Sequence, residues 1–149
     1  MTTRTDLVAM LEAAEAGSRE LDAAVWLAAT GEVVAWPWGQ PDADGPWCVY
    51  GNAMWTPLAG LTTSLDAALA LAERVLPGWR RHLNELPPST GLGWEATVWT
   101  DAADLSVHPS RAPTAPLALC IAVLRATAAA ETGAVGMSEA NEPKNEGEA

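Results

Sequence analysis

TTSLDAALALAERVLPG, residues 62–78, is the stretch whose reading decides the fold. Ser64 stands where a helix N-cap belongs, its hydroxyl placed to satisfy an orphan backbone N–H. Leu65, Ala68, Leu69, Ala72 and Leu76 recur at helical spacing on one face, and Pro77-Gly78 ends the run. The same punctuation opens and closes two further runs, SRELDAAVWLAATG at 18–31 and APTAPLALCIAVLRATAAAETG at 112–133. Each starts from Ser or Thr, carries an apolar stripe and closes near Gly or Pro, so each predicts an amphipathic helix.

Working outward, Thr3-Arg4-Thr5-Asp6 has capping-box spacing for a first helix, with Leu7, Met10, Leu11 and Ala14 on one face. Gly17 is read as its left-handed stop. Ser18 caps the second helix, Glu20 and Asp22 lie in its first turn where the dipole favours acids, and Gly31 ends it. Leu21, Ala24, Val25 and Ala28 form its apolar face. Two helices joined so tightly predict an αα-hairpin. Val33 to Trp36 and Trp47 to Tyr50 suit strands by composition, and the turn-rich Gln40 to Pro46 lies between them. A ragged hairpin and a packed loop both fit this stretch.

Beyond the central helix, Trp79 to Leu86 and Trp94 to Thr100 read as strands joined by a Pro- and Gly-rich loop. In the second, Trp94, Ala96 and Val98 alternate with Glu95, Thr97 and Trp99, a half-buried pattern. Residues 101–112 read as a polar connection, and Thr114 as the cap of a last helix buried along Leu117, Cys120, Ile121, Leu124 and Ala128. The expectation is an α+β fold in the order α-α-(β-β)-α-β-β-α, its helices packed on both sides of a small, mainly antiparallel sheet as an α/β/α sandwich. A single domain is expected over 1–130, with a flexible acidic tail over 131–149.

The residues Glu20 to Ala24, Thr63 to Leu69 before Pro77-Gly78-Trp79, and Ala112 to Pro116 leading into Leu117 to Cys120 resemble the phage ABA sandwich domain family. The similar segments cover about half the chain, and the Trp-rich stretch and acidic tail depart from the pattern. The resemblance implies helices either side of a short sheet and a phage or prophage origin. It implies no catalytic residue.

The chain has 149 residues, 49% hydrophobic and 18% charged, which is the composition of a globular domain. Its formal net charge is −11, of which the tail contributes −4 through Glu131, Glu139, Glu142, Glu146 and Glu148 against Lys144. A net-negative surface repels phosphate backbones, so non-specific nucleic-acid binding is disfavoured. No signal-type segment and no membrane span is expected, and two cysteines make no disulfide framework, which points to the cytoplasm, of the host cell if the chain is phage-encoded.

Tryptophan usage is the distinctive chemical feature: eight Trp, one Tyr and no Phe. Trp36, Trp38, Trp47 and Trp55 crowd twenty residues, with Tyr50 among them. An indole offers a broad apolar face and one N–H, which suits either core packing or contact with a partner or ligand. Arg80 and His82 share one strand face, opposite Trp79 and Arg81, and Arg80 is positioned to clamp an anion. Arg111, just before the last helix, would add to an anion site at that helix's N-terminus. Asp101, Asp104 and His108 are the one grouping with metal or acid–base potential, and turn-forming Asp after a strand explains it equally well. Cys48 and Cys120 have no neighbouring His, and the Gly91-Leu92-Gly93 glycines fall inside a hairpin, so neither thiol catalysis nor a phosphate loop is indicated.

The sequence therefore points to a non-enzymatic binding or interaction module with no cofactor and no metal. Its expected contact residues are Trp36, Trp38, Trp47, Tyr50, Trp55, Arg80 and Arg111, meeting a protein partner or a second copy. The alternative is a small-ligand, nucleotide-like binding or sequestering protein.

Overall fold

The computed structural model describes residues 3–35, 48–51, 54–100 and 109–147. In chain order these form α1 (Arg4–Ala13), α2 (Arg19–Thr30), β1 (Val33–Ala35), β2 (Cys48–Gly51), β3 (Met54–Pro57), α3 (Leu65–Val75), β4 (Arg80–Glu85), β5 (Trp94–Trp99), β6 (Ser110–Ala112) and α4 (Ala115–Gly147). The fold is α+β, and the described strands pair antiparallel, in line with the mainly antiparallel pattern expected. Among the described residues no helix is long and apolar enough to cross a membrane.

Capping residues place the helices as read. Thr3 accepts from the Asp6 N–H at 3.0 Å while its own N–H donates to Asp6 Oδ2 at 3.3 Å, closing the capping box of α1. Ser18 accepts from the Leu21 N–H and Ser64 from the Ala67 N–H, and Gly31, at φ 75°, adopts the left-handed turn that ends α2. Thr114 departs from the expectation. Its hydroxyl is buried with no hydrogen-bond partner among the described residues, so only its carbonyl, accepting from Ala118, serves α4.

Gly17 has a different reason from the one its position suggests. Helix α1 already ends at Ala13, and Gly17 does not take a positive φ. A Cβ there would lie 2.3 Å from the Thr62 carbonyl oxygen, so glycine is required by the close pass of two backbones. Met10, expected on the buried face of α1, is 51% exposed, and the buried side chains of the helix are Leu7 and Leu11, with Val8 packed beside them.

The strands form two sheets where one was expected. Sheet I runs β1-β2-β3 and sheet II runs β4-β5-β6. The extra strand in each comes from stretches with weak local signal: β3 follows the hairpin of sheet I, and β6 lies in the polar connection before α4. Layering differs accordingly. α4 lies at the centre, packed on sheet II on one side and on α1, α2 and α3 elsewhere, while sheet I meets α2 through β1. Every residue from Leu117 to Leu124 is fully buried, so this part of α4 is apolar all round rather than striped. Among the described residues, helices contact sheet II on the face that carries Ala96 and Val98.

Past the core, α4 continues through Gly133 to Gly147 as one helix, where composition alone sets a domain boundary near residue 130.

Candidate functional site

Among the described residues helices pack on one side of sheet II, and its other side is the candidate site. Directly paired residues on antiparallel strands share a face, so the register assigns both surfaces. Ala96, Val98, Ser110 and Ala112 lie inward and are buried against α4. The outer face carries Arg80 opposite Trp99, His82 opposite Thr97, and Asn84 opposite Glu95, which in turn pairs with Arg111. Arg80, His82, Asn84 and Arg111 are exposed; Trp99, Thr97 and Glu95 are half-buried. The face is of mixed charge, with Trp99 at one end.

Arg80 and Arg111 therefore fall on one surface, at opposite corners, with Cα atoms roughly 17 Å apart by strand geometry. Arg111 does not serve the N-terminus of α4. Period-two alternation turns it away from the helix that Ser110 and Ala112 touch, and its Nε donates to Glu95 Oε2 at 2.9 Å. The anion site expected there is replaced by this cross-strand ion pair. Trp99 is the residue that sequence reasoning passed over, although its alternation with Val98 already marked it as facing outward.

Of the aromatic cluster, Tyr50 and Trp55 stand directly opposite each other on β2 and β3. Trp36, Trp38 and Trp47 lie outside the described residues, as do Asp101, Asp104 and His108. Among the described residues no three His, Cys, Asp or Glu side chains gather closely enough to hold a metal ion.

Both thiols are buried. Burial pushes the Cys120 thiol up to about 12, with the negative charge of Asp22 adding to the effect. Its Sγ lies 3.3 Å from the Leu61 carbonyl, to which it donates. Such a thiol is a packing group, not a nucleophile.

A concavity lies between α1 and α4, about 410 Å³ in volume, lined by Val8, Ala9, Leu124 and Ala128 with Arg4 and Arg125 beside them. Each cation already meets a carboxylate across the groove, Arg4 with Glu131 at 2.9 Å and Arg125 with Glu12 at 3.3 Å. The hydrogen bond from Arg4 holds the Glu131 carboxyl below its usual range.

The Asp22 carboxylate serves the fold. Asp22, fully buried, accepts the Thr62 N–H at 2.7 Å and the Thr62 hydroxyl at 2.6 Å on one oxygen, and Arg19 at 2.7 Å on the other. Arg19 also donates to the Leu58 carbonyl at 2.8 Å. The acid read as a dipole-favouring residue thus fastens the 58–62 segment to α2. Comparison of the chain with protein-family models, curated proteins and solved structures gives no match.

Proposed function

We propose that this chain is a non-enzymatic binding module of phage or prophage origin that engages a protein partner. The observation that carries the reading is the outer face of sheet II, which among the described residues no helix covers, α4 packing on the opposite side. It combines Trp99, Arg80 and Arg111, the residue types that concentrate binding energy at interfaces, with polar neighbours that keep an unoccupied surface soluble. Tyr50 and Trp55, opposed on sheet I, and the Trp36, Trp38 and Trp47 positions extend the same aromatic character. The family resemblance supports the proposed origin.

The test is site-specific photocrosslinking from position 97, at the middle of the face. Partner adducts that wild-type protein competes away, and that Trp99→Ala or Trp36→Ala diminishes, are expected. Adducts no stronger from position 97 than from exposed Glu20 on α2 would remove the assignment.

A small-ligand reading draws on the α1–α4 groove, whose volume falls in the range of small-molecule sites. Saturable thermal stabilisation by members of a nucleotide panel, lost on Val8→Trp, is the result it requires.

A further inference from the structure

Among the described residues β4 is an edge of sheet II: in the order β4-β5-β6 its one described strand neighbour is β5. An edge strand offers unpaired backbone donors and acceptors, and proteins usually block such edges with inward-pointing charges. β4 carries two charged residues on its inner face, Arg81 and Glu85, but they are of opposite sign and lie two residues either side of Leu83. Arg81 and Glu85 are exposed and Leu83 is half-buried.

That placement is complementary to itself. Two copies joined antiparallel along β4, with a two-fold axis perpendicular to the sheet, keep their inner faces on the same side. With Leu83 on the axis, Arg81 of each copy stands opposite Glu85 of the other, twice, while Leu83 meets Leu83 and His82 meets Asn84. With His82 on the axis, Arg81 meets Leu83 and Arg80 meets Asn84. With Asn84 on the axis, Leu83 meets Glu85 and His82 meets Leu86. Only the Leu83 register sets opposite charges against each other, and opposite-charge pairs directly across antiparallel strands are stabilising. Within the chain Arg81 Nη1 already donates to Glu73 at 2.8 Å, and a guanidinium with five N–H groups can serve a second carboxylate.

We propose that β4 pairs with β4 of a second copy in the Leu83 register, giving a continuous six-stranded antiparallel sheet. This goes beyond the broad outer face and does not depend on what that face binds. Six residues per copy make a small contact beside a standard interface of about 1,600 Å², so the dimer is weak and dissociates on dilution.

Sedimentation velocity of the full chain from about 1 to 500 µM, at about 0.15 M salt to screen the charge on each copy, reads the equilibrium. A reversible dimer is expected, with Arg81→Glu and Glu85→Arg each weakening it about tenfold and the double exchange restoring it. Glu85→Arg leaves the Arg81–Glu73 pair in place, so the test stands even where Arg81→Glu perturbs folding. Trp99→Ala should leave the dimer unchanged, which separates this contact from the proposed partner face. A monomer at every concentration, or a dimer that neither single exchange weakens, overturns the pairing.

Discussion

Replacing Asp22 with alanine tests how the fold is fastened. Asp22 is fully buried and holds the Thr62 N–H at 2.7 Å and the Thr62 hydroxyl at 2.6 Å. In Asp22→Ala the Thr62 N–H loses its acceptor inside the protein, a cost of about 1–3 kcal/mol. The Thr62 hydroxyl retains the Ser18 carbonyl at 3.1 Å, and Arg19 retains the Leu58 carbonyl, so their losses are smaller, about 1 kcal/mol together. Void left by the carboxylate adds to the cost. A total of roughly 3–4 kcal/mol is a large part of the ~5–15 kcal/mol that holds a domain together. Urea unfolding followed by tryptophan fluorescence should show the midpoint falling by roughly 1.5–2 M with an unchanged slope. A double-mutant cycle with Thr62→Val should return a coupling of about 1–2 kcal/mol. A single-variant cost below about 1 kcal/mol, or no coupling to Thr62, would refute the clasp.

Cys120 makes the protein sensitive to alkali. Its thiol has an ordinary value of 9.0 and is raised to about 12 in the fold, so between those values the unfolded chain gives up a proton that the folded chain keeps. Stability is intact below pH 9 and falls above it by up to about 1.4 kcal/mol per pH unit, and Cys120→Ala should flatten that slope in unfolding measured from pH 8 to 11. Gly17→Ala forces a methyl to 2.3 Å from the Thr62 oxygen and should cost about 1–3 kcal/mol, read by the thermal midpoint; a neutral result would mean the two backbones separate freely. Ser64→Ala should cost about 1 kcal/mol because its hydroxyl caps α3, whereas Thr114→Val should be neutral or stabilising because its buried hydroxyl bonds to nothing described. Equal losses at the two positions would contradict the assignment of caps.

Helix positions were legible because their signals are local. A cap such as Ser18 or Ser64 acts within three residues, and the apolar spacing of 62–78 needs no distant partner to be read. Strand alternation was equally local, so the buried Ala96 and Val98 and the outward Trp99 follow from Trp94 to Trp99 alone. β3 and β6 were missed because Met54 to Pro57 and Ser110 to Ala112 lack the valines that mark β1 and β2, and their pairing partners supply most of their stability. The site followed the same division: Arg80's face was readable from its strand, while Arg111's engagement with Glu95 required knowing that β6 pairs with β5.

What the chain determined by itself is a set of capped helices and alternating strands in a fixed order. Tertiary structure alone decided that α4 is surrounded, that Asp22 is buried rather than solvated, and that Gly17 answers to Thr62 across 45 residues of chain. The physical reason is range. Backbone capping and side-chain periodicity are settled between near neighbours, whereas burial, close approach and a bare sheet face depend on which distant surfaces meet. The outer face of sheet II is set by α4 and α1 packing against the opposite side, and no window of sequence contains that fact.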